Sequence, residues 1–339
     1  MANKLFLGVI VVLLVAGCST KRDAIGEPDQ MIVVADSVDW NTAKPMLDKV
    51  FAPKIPTPRP EPWYNLQRVK PSQFEQFMDY KNIIIFSLLR EGSPSRKFID
   101  RTFSKSLAQA MQSGEQTVAL KHNPWRKNQL LLILTAPTFD EMQAVLENRG
   151  SQLRGYFDEK LVERQKEYLY KRYEQKKVEK KLQSKYNWSF RVPRDWVVIH
   201  DRPDSNFYWI GRNLPIRWFS VYWEKVDSAV TVDSTIAVHL RQKVGEQMYG
   251  DISTNPDYLR VEPIMLDGQP AIRVRGVWAH TKEAKGGPFT GAAYYDPDTK
   301  RLFYIDGQIF APDMNKLLYI RQEEIMISTF TSGQKSKQD

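Results

Sequence analysis

The chain has 339 residues, a formal net charge of +9 and one cysteine. That length supports two domains with real cores, or one large one. A lone cysteine excludes an intramolecular disulfide and any zinc site built on paired thiolates.

Asn3 and Lys4 precede an apolar run from Leu5 to Val15, and the small residues Ala16 and Gly17 lead into Cys18. Charge, apolar stretch and small residues in that order make a secretory signal. The run is shorter than the roughly 20 residues that a bilayer-spanning helix needs. Leu14-Val15-Ala16-Gly17-Cys18 resembles a bacterial lipobox. The resemblance implies removal of a signal peptide, 1–17, and lipids on the sulfur and new amine of Cys18, an anchor firmer than one acyl chain gives. Ser19 after the cysteine favours, by analogy with bacterial sorting, the outer membrane, and the absence of a strong acidic export signal favours its periplasmic face. Residues 18–30 are polar, contain Gly26 and Pro28, and read as a flexible tether. Loss of Lys4 with the signal lowers the charge from +9 to +8. In an exported lipoprotein that excess points to anionic lipid, lipopolysaccharide or a protein partner before nucleic acid.

Met31–Ala35 reads as a first strand, and a short amphipathic helix follows with Ala43, Met46, Leu47 and Val50 on one side. Pro53–Trp63 carries five prolines in eleven residues, which excludes helix and central strand. It reads as a rigid surface connection, with a preordered recognition segment as the alternative. Ser72–Glu75 has capping-box spacing. Asn82–Leu89 is a candidate buried strand, Pro94–Met111 a helix, and Gln116–Leu120 and Gln129–Thr135 two more strands. "LLLIL" has no alternation, so both of its faces are expected to be covered. A capping box at Thr138–Glu141 opens a helix-compatible run to about Ser184, with Gly150 and Gly155 as places to bend. A continuous helix of that length would reach roughly 68 Å and act as a spacer. Residues 157–185 hold ten Lys or Arg and six Asp or Glu, which reads as a solvated face with i,i+4 pairs, or alternatively as a partner or membrane-surface helix.

The second half is richer in strands. Trp188, Phe190 and Val192 share one side of a strand, Pro193-Arg194-Asp195 turns, and Trp196–His200, Phe207–Gly211 and Ile216–Glu224 follow. Val232-Asp233-Ser234 starts a helix. Tyr258–Met265 and Gln269–Ala279 form a hairpin through Asp267-Gly268. Strands at Phe289–Tyr295 and Arg301–Ile309 precede a last helix after Pro312-Asp313. The expected fold is α+β: two α/β-type halves with mainly antiparallel sheets, joined by a long charged helix. The divisions are a domain at 31–157, the charged connecting helix at 158–185, a domain at 186–332 and a disordered tail at 333–339. "YNLQRVKP" at 64 and "YNWSFRVP" at 186 raise internal duplication as an option.

The sequence contains no catalytic motif. The four histidines, His122, His200, His239 and His280, have no zincin spacing. The serine-hydrolase elbow, the phosphate-binding loop and the dinucleotide fingerprint are missing. No metal, cofactor or catalytic residue is expected, and the reading favours a protein without catalysis. Asp195, Asp201, Asp204 and Glu224 lie near tryptophans, which keeps open a glycan or peptide hydrolase with paired carboxylates. Six of nine tryptophans fall between 188 and 278. Core packing accounts for most such rings, while Trp196, Trp209 and Trp218 are candidates for a small-molecule, glycan or lipid ligand. Trp63 and Trp125 sit in connections and are candidates for partner binding. Lys171, Arg172, Lys176, Lys177, Lys180 and Lys181 are further partner candidates. They could track phosphates, but export and interleaved glutamates argue against nucleic acid.

"YNWSFRVPRDWVV", "GPFTGAAYYD", "KRLFYIDGQIFAP" and the terminal helix together resemble an uncharacterised family of Bacteroidota-type lipoproteins, domain of unknown function 4837, across nearly the whole mature chain. The family implies no activity and no transferable residue. "FRVPRDW" also resembles the start of small photosystem-associated and Mog-type α/β/α sandwich domains, which are mostly binding or assembly modules. The expected function is a lipid-anchored periplasmic binding or assembly lipoprotein with an envelope protein partner. The alternatives are an envelope hydrolase or a lipid-binding protein with an enclosed apolar cavity.

Overall fold

A computed structural model describes residues 21–55 and 57–333. The signal, Cys18 and the tail from 334 onward lie outside the described residues. The fold is α+β, with two sheet-bearing halves linked by a long helix.

The first half runs β1 (Gln30–Val34), α1 (Ser37–Phe51), β2 (Lys54–Ile55), β3 (Glu61–Pro62), β4 (Asn65–Val69), α2 (Phe74–Phe77), β5 (Asn82–Ser87), α3 (Pro94–Thr102), α4 (Lys105–Gln112), β6 (Val118–His122), β7 (Leu130–Thr135) and α5 (Phe139–Tyr170). Its main sheet has the order β4-β1-β5-β7-β6. Every pairing is parallel except β6–β7, so the antiparallel pairing expected of this half is corrected. The reason is visible in the strands. β5 and β7 are buried at every position, because α1 and α5 cover one face and α3 and α4 the other. Covered parallel strands need no polar face. The single helix expected over 94–111 is two. Phe103 is extended, and the Ser104 hydroxyl accepts from Leu107 N to start a new helix.

Residues 21–30 do not form the tether expected of them. Ala24 is buried, its N–H donates to Lys127 O at 2.9 Å, and Ile25 N–H donates to Asp79 O at 2.9 Å. Main-chain groups with fixed partners hold the segment on the body.

The connecting helix is also shorter than expected. After α5 come the turn residues Lys171–Gln175 and then α6 (Lys176–Tyr186). Tyr173 has φ +69°. Gln175 causes the break. Its N–H donates to Val192 O at 2.9 Å and its amide to Pro193 O and Trp196 O. Gly150 does not bend α5: a Cβ there would lie 2.7 Å from Val50 Cγ2, so the glycine admits close approach of α1. Nor is α5 a solvent-spanning spacer, since Leu153, Phe157 and Leu161 belong to the first core and Leu169 and Tyr170 pack on Ile325 of the second half.

The second half continues with β8 (Trp188–Ser189), β9 (Val197–Arg202), β10 (Phe207–Arg212), β11 (Ile216–Lys225), α7 (Ser234–Lys243), β12 (Ile252–Thr254), β13 (Arg260–Leu266), β14 (Gln269–His280), β15 (Gly286–Asp296), β16 (Arg301–Phe310), α8 (Leu317–Ile327) and β17 (Thr331–Ser332). Eight of these strands form one antiparallel sheet in the order β12-β14-β15-β16-β11-β10-β9, with β13 paired to β14. Asp267 and Gly268 have φ +53° and +80°, the left-handed pair that a two-residue hairpin requires. α6 and α8 cover one face and α7 the other. In β11, Phe219, Val221 and Trp223 face the first layer and Trp218 and Tyr222 the second, the division read from the sequence. A mainly parallel five-stranded sheet in one half and an antiparallel eight-stranded sheet in the other show that the halves are not copies of one unit.

The proline-rich segment joins the halves. Glu61 Oε2 accepts from Lys316 N and Leu317 N at 2.7 and 3.1 Å, satisfying the free N-terminal donors of α8. Arg321 of α8 lies 4.3 Å over the Trp63 ring and donates to Trp63 O at 3.0 Å. Gln322 Nε2 donates to Gln165 Oε1 of α5 at 2.8 Å. The segment therefore recognises this chain's own second half and is not a plain surface connection. α8 also sits tightly on β16, where a Cβ at Gly307 would lie 2.7 Å from Glu323 Cβ. Gly307→Ala is expected to destabilise the fold by about 1–3 kcal/mol through overpacking. An unchanged midpoint in urea would contradict that contact.

Candidate binding cleft

The break between α5 and α6 opens a cleft of about 740 Å³. It is lined from both halves: the segment at 23–28, Lys81, the Asn128 turn, the last turns of α5, residues 171–173, the 193–195 turn, and Arg212 at the end of β10. Six cationic side chains face three carboxylates there.

The floor is committed to structure. Arg164 is buried and donates to Asn128 O at 2.8 Å, Asn82 Oδ1 at 2.7 Å and Lys81 O at 3.0 Å. Burial pulls its pKa down to about 10. Lys81 donates to Gly26 O, and burial followed by the neighbouring Arg164 charge lowers its pKa. The rim differs. Lys171 pairs with Glu167, whose carboxyl that hydrogen bond holds below its usual range. Arg194 pairs with Asp195 at 3.1 Å and lies 4.7 Å over the Tyr173 ring. For the side chains of Arg172 and Arg212 no hydrogen bond or ion pair is found among the described residues. Tyr168 and Tyr173 are 66% and 70% exposed at the same rim. Gln175 ties down the 193–196 turn, and with it the backbone that carries Arg194.

Of the residues singled out from sequence, Lys171 and Arg172 line this cleft. Lys176 is on α6, between Glu174 and Glu179 at 2.8 and 3.0 Å. Lys177 and Lys180 are exposed on α6, and Lys181 reaches Asp201 at 3.6 Å. Trp63 is spent on the contact between halves, its Nε1 donating to Asp158 at 2.7 Å. Trp125 packs edge-on to Phe74 in the first core. Trp196 is buried in the second core. Trp209 and Trp218 lean together against Tyr249, on the α7 side of the sheet. Sequence reading missed Arg194, in the 193–195 turn, and Arg212, at the end of β10, which only tertiary structure brings beside 171–173.

The carboxylates do not form an acid–base pair in this cleft. Asp201 is held below its usual range by Tyr186 and Lys185, against its burial, and Glu224 by Lys243 and Tyr222. Raised values fall on Asp39, buried on α1 beside Arg90, and on Asp306 and Glu323, buried between the second sheet and its helices. Among the described residues, no group of three or more His, Cys, Asp or Glu could hold a metal ion, and no helix is long and apolar enough to cross a membrane.

Residues 174–329 match the family model for a domain of unknown function, DUF4837. The second half of this chain resembles DUF4837. Residues 24–170 match a different domain of unknown function, DUF8532. The DUF4837 likeness therefore begins at the α5–α6 break, not across nearly the whole mature chain as expected. The cleft lies where the DUF8532 and DUF4837 segments meet. No curated protein matches. Solved structures align loosely. The Ran-binding protein Mog1p of Saccharomyces cerevisiae is 10% identical, with a TM-score of 0.30, over 43% of this chain and 90% of its own. LpqN, involved in cell envelope biogenesis of Mycobacterium tuberculosis, is 13% identical, with a TM-score of 0.31, over 43% and 83%. A Bacteroides thetaiotaomicron protein is 12% identical, with a TM-score of 0.27, over 44% and 46%. Alignments this loose carry no function to this chain.

Proposed function

We propose that this chain is a lipid-anchored lipoprotein of the cell envelope, held at the periplasmic face of the outer membrane, and that its body binds or assembles with an envelope protein without catalysis. The lipobox-like Leu14–Cys18 carries the reading. The body begins almost at once after it: Lys21 Nζ donates to Asn123 O at 2.7 Å. An open cationic cleft whose Glu167 carboxyl is held ionised by Lys171 supports binding over acid–base chemistry.

The partner surface assigned by this reading is the exposed side of α6. A photocrosslinker at Lys180 in intact cells, followed by mass spectrometry, is expected to capture one envelope protein in stoichiometric yield. Capture of no protein would overturn the assembly role. Independently, alkynyl palmitate fed to cells is expected to label the wild-type chain and leave Cys18→Ser unlabelled; equal labelling would remove the anchor from Cys18.

A further inference from the structure

We propose that the cleft takes the phosphate-bearing head group of an anionic membrane lipid, with Leu214 entering the bilayer surface beside it. This rests on the anchored reading above. Only Ser19 and Thr20 lie between Cys18 and Lys21, so the two can be at most about 11 Å apart. Lys21 bonds to the Asn123 and Pro124 carbonyls, and Asp23 and Ala24 are part of the cleft wall. A lipid on Cys18 therefore holds this end of the molecule against the bilayer.

The chemistry of that end suits a membrane surface. Arg172 and Arg212 are the rim cations without a carboxylate partner, and guanidinium forks match phosphate oxygens. Two residues beyond Arg212, in the β10–β11 hairpin, Leu214 is 92% exposed. On the edge strand β9, Val197 is 62% exposed and pairs with Gly211, next to Arg212. Exposed Tyr168 and Tyr173 complete the rim, and tyrosines favour the head-group layer. Apolar tips, aromatic rings and unpaired arginines thus converge where the anchored chain enters. Each basic residue near an anionic surface strengthens binding roughly fivefold.

The test uses the chain from Ser19 onward, which keeps the whole folded body and needs no anchor. It is mixed with phosphatidylcholine vesicles with and without phosphatidylglycerol, and binding is read by flotation. Binding only to phosphatidylglycerol vesicles is expected, weakening with salt. Arg172→Gln with Arg212→Gln should weaken it at least tenfold, and Leu214→Ser severalfold while keeping the lipid preference. Equal binding to both vesicles, or a double variant that binds like wild type with an unchanged circular dichroism spectrum, would overturn the proposal. Calorimetric binding of glycerol 3-phosphate without vesicle binding would assign the cleft to a soluble phosphate ester and also overturn it. Because no lipid on Cys18 is involved, failure here leaves the anchor to be judged by palmitate labelling alone.

Discussion

Glu323→Gln is expected to stabilise the protein by a few kcal/mol at pH 9 and to change little near pH 4. Glu323 is fully buried on α8, against Gly307, and neither carboxylate oxygen has a hydrogen-bond partner among the described residues. Burial pushes its pKa from 4.5 up to about 8, with Arg217 pulling it down and Asp306 adding to the rise. Between those two values the folded chain holds a proton that the unfolded chain has released. Stability is therefore full below about pH 4.5 and falls as pH rises towards 8, by roughly 5 kcal/mol in all. Glutamine keeps the shape of the neutral acid and never ionises, so the variant loses that slope. Urea unfolding across this pH range measures it. Parallel profiles for the two proteins would show that Glu323 does not titrate in this window.

Arg241→Met is expected to destabilise the fold by about 3–5 kcal/mol at neutral pH. Arg241 and Asp306 are both fully buried and meet at 3.2 Å between α7 and β16. The guanidinium also lies 4.1 Å over the Phe289 ring. Burial pushes the Asp306 carboxyl up, while Arg241, Gln308 and Tyr249 pull it back. Removing the arginine takes away the largest of those opposing effects and leaves a buried carboxylate uncompensated. Adding Asp306→Asn keeps the side-chain shape without the charge, so the double variant is expected to recover much of the loss. Equal instability in single and double variants would assign the effect to lost packing instead of lost charge.

The parts legible in the sequence were those governed by local chemistry. Asp267-Gly268 marked its hairpin because only left-handed residues close it. β5 and β7 were visible as unbroken apolar runs. The split aromatic faces of β11 followed from alternation. What sequence missed was decided by distant partners. The parallel direction of the first sheet depends on β1, β4, β5 and β7 meeting across long separations. The helix break at 171–175 depends on Gln175 finding carbonyls at Val192, Pro193 and Trp196. Lys171 and Arg172 were legible as part of a basic run, but nothing local places Arg194 and Arg212 beside them. Trp63 looked like a surface ring because its partner, Arg321, lies 258 positions away.

Intact mass spectrometry of the chain extracted from membranes tests the anchored reading most directly. The predicted mass is that of a polypeptide beginning at Cys18 and carrying a diacylglyceryl group on sulfur and a fatty acyl group on the amine. A chain that retains Met1, or one cleaved elsewhere with no lipid mass, would contradict it.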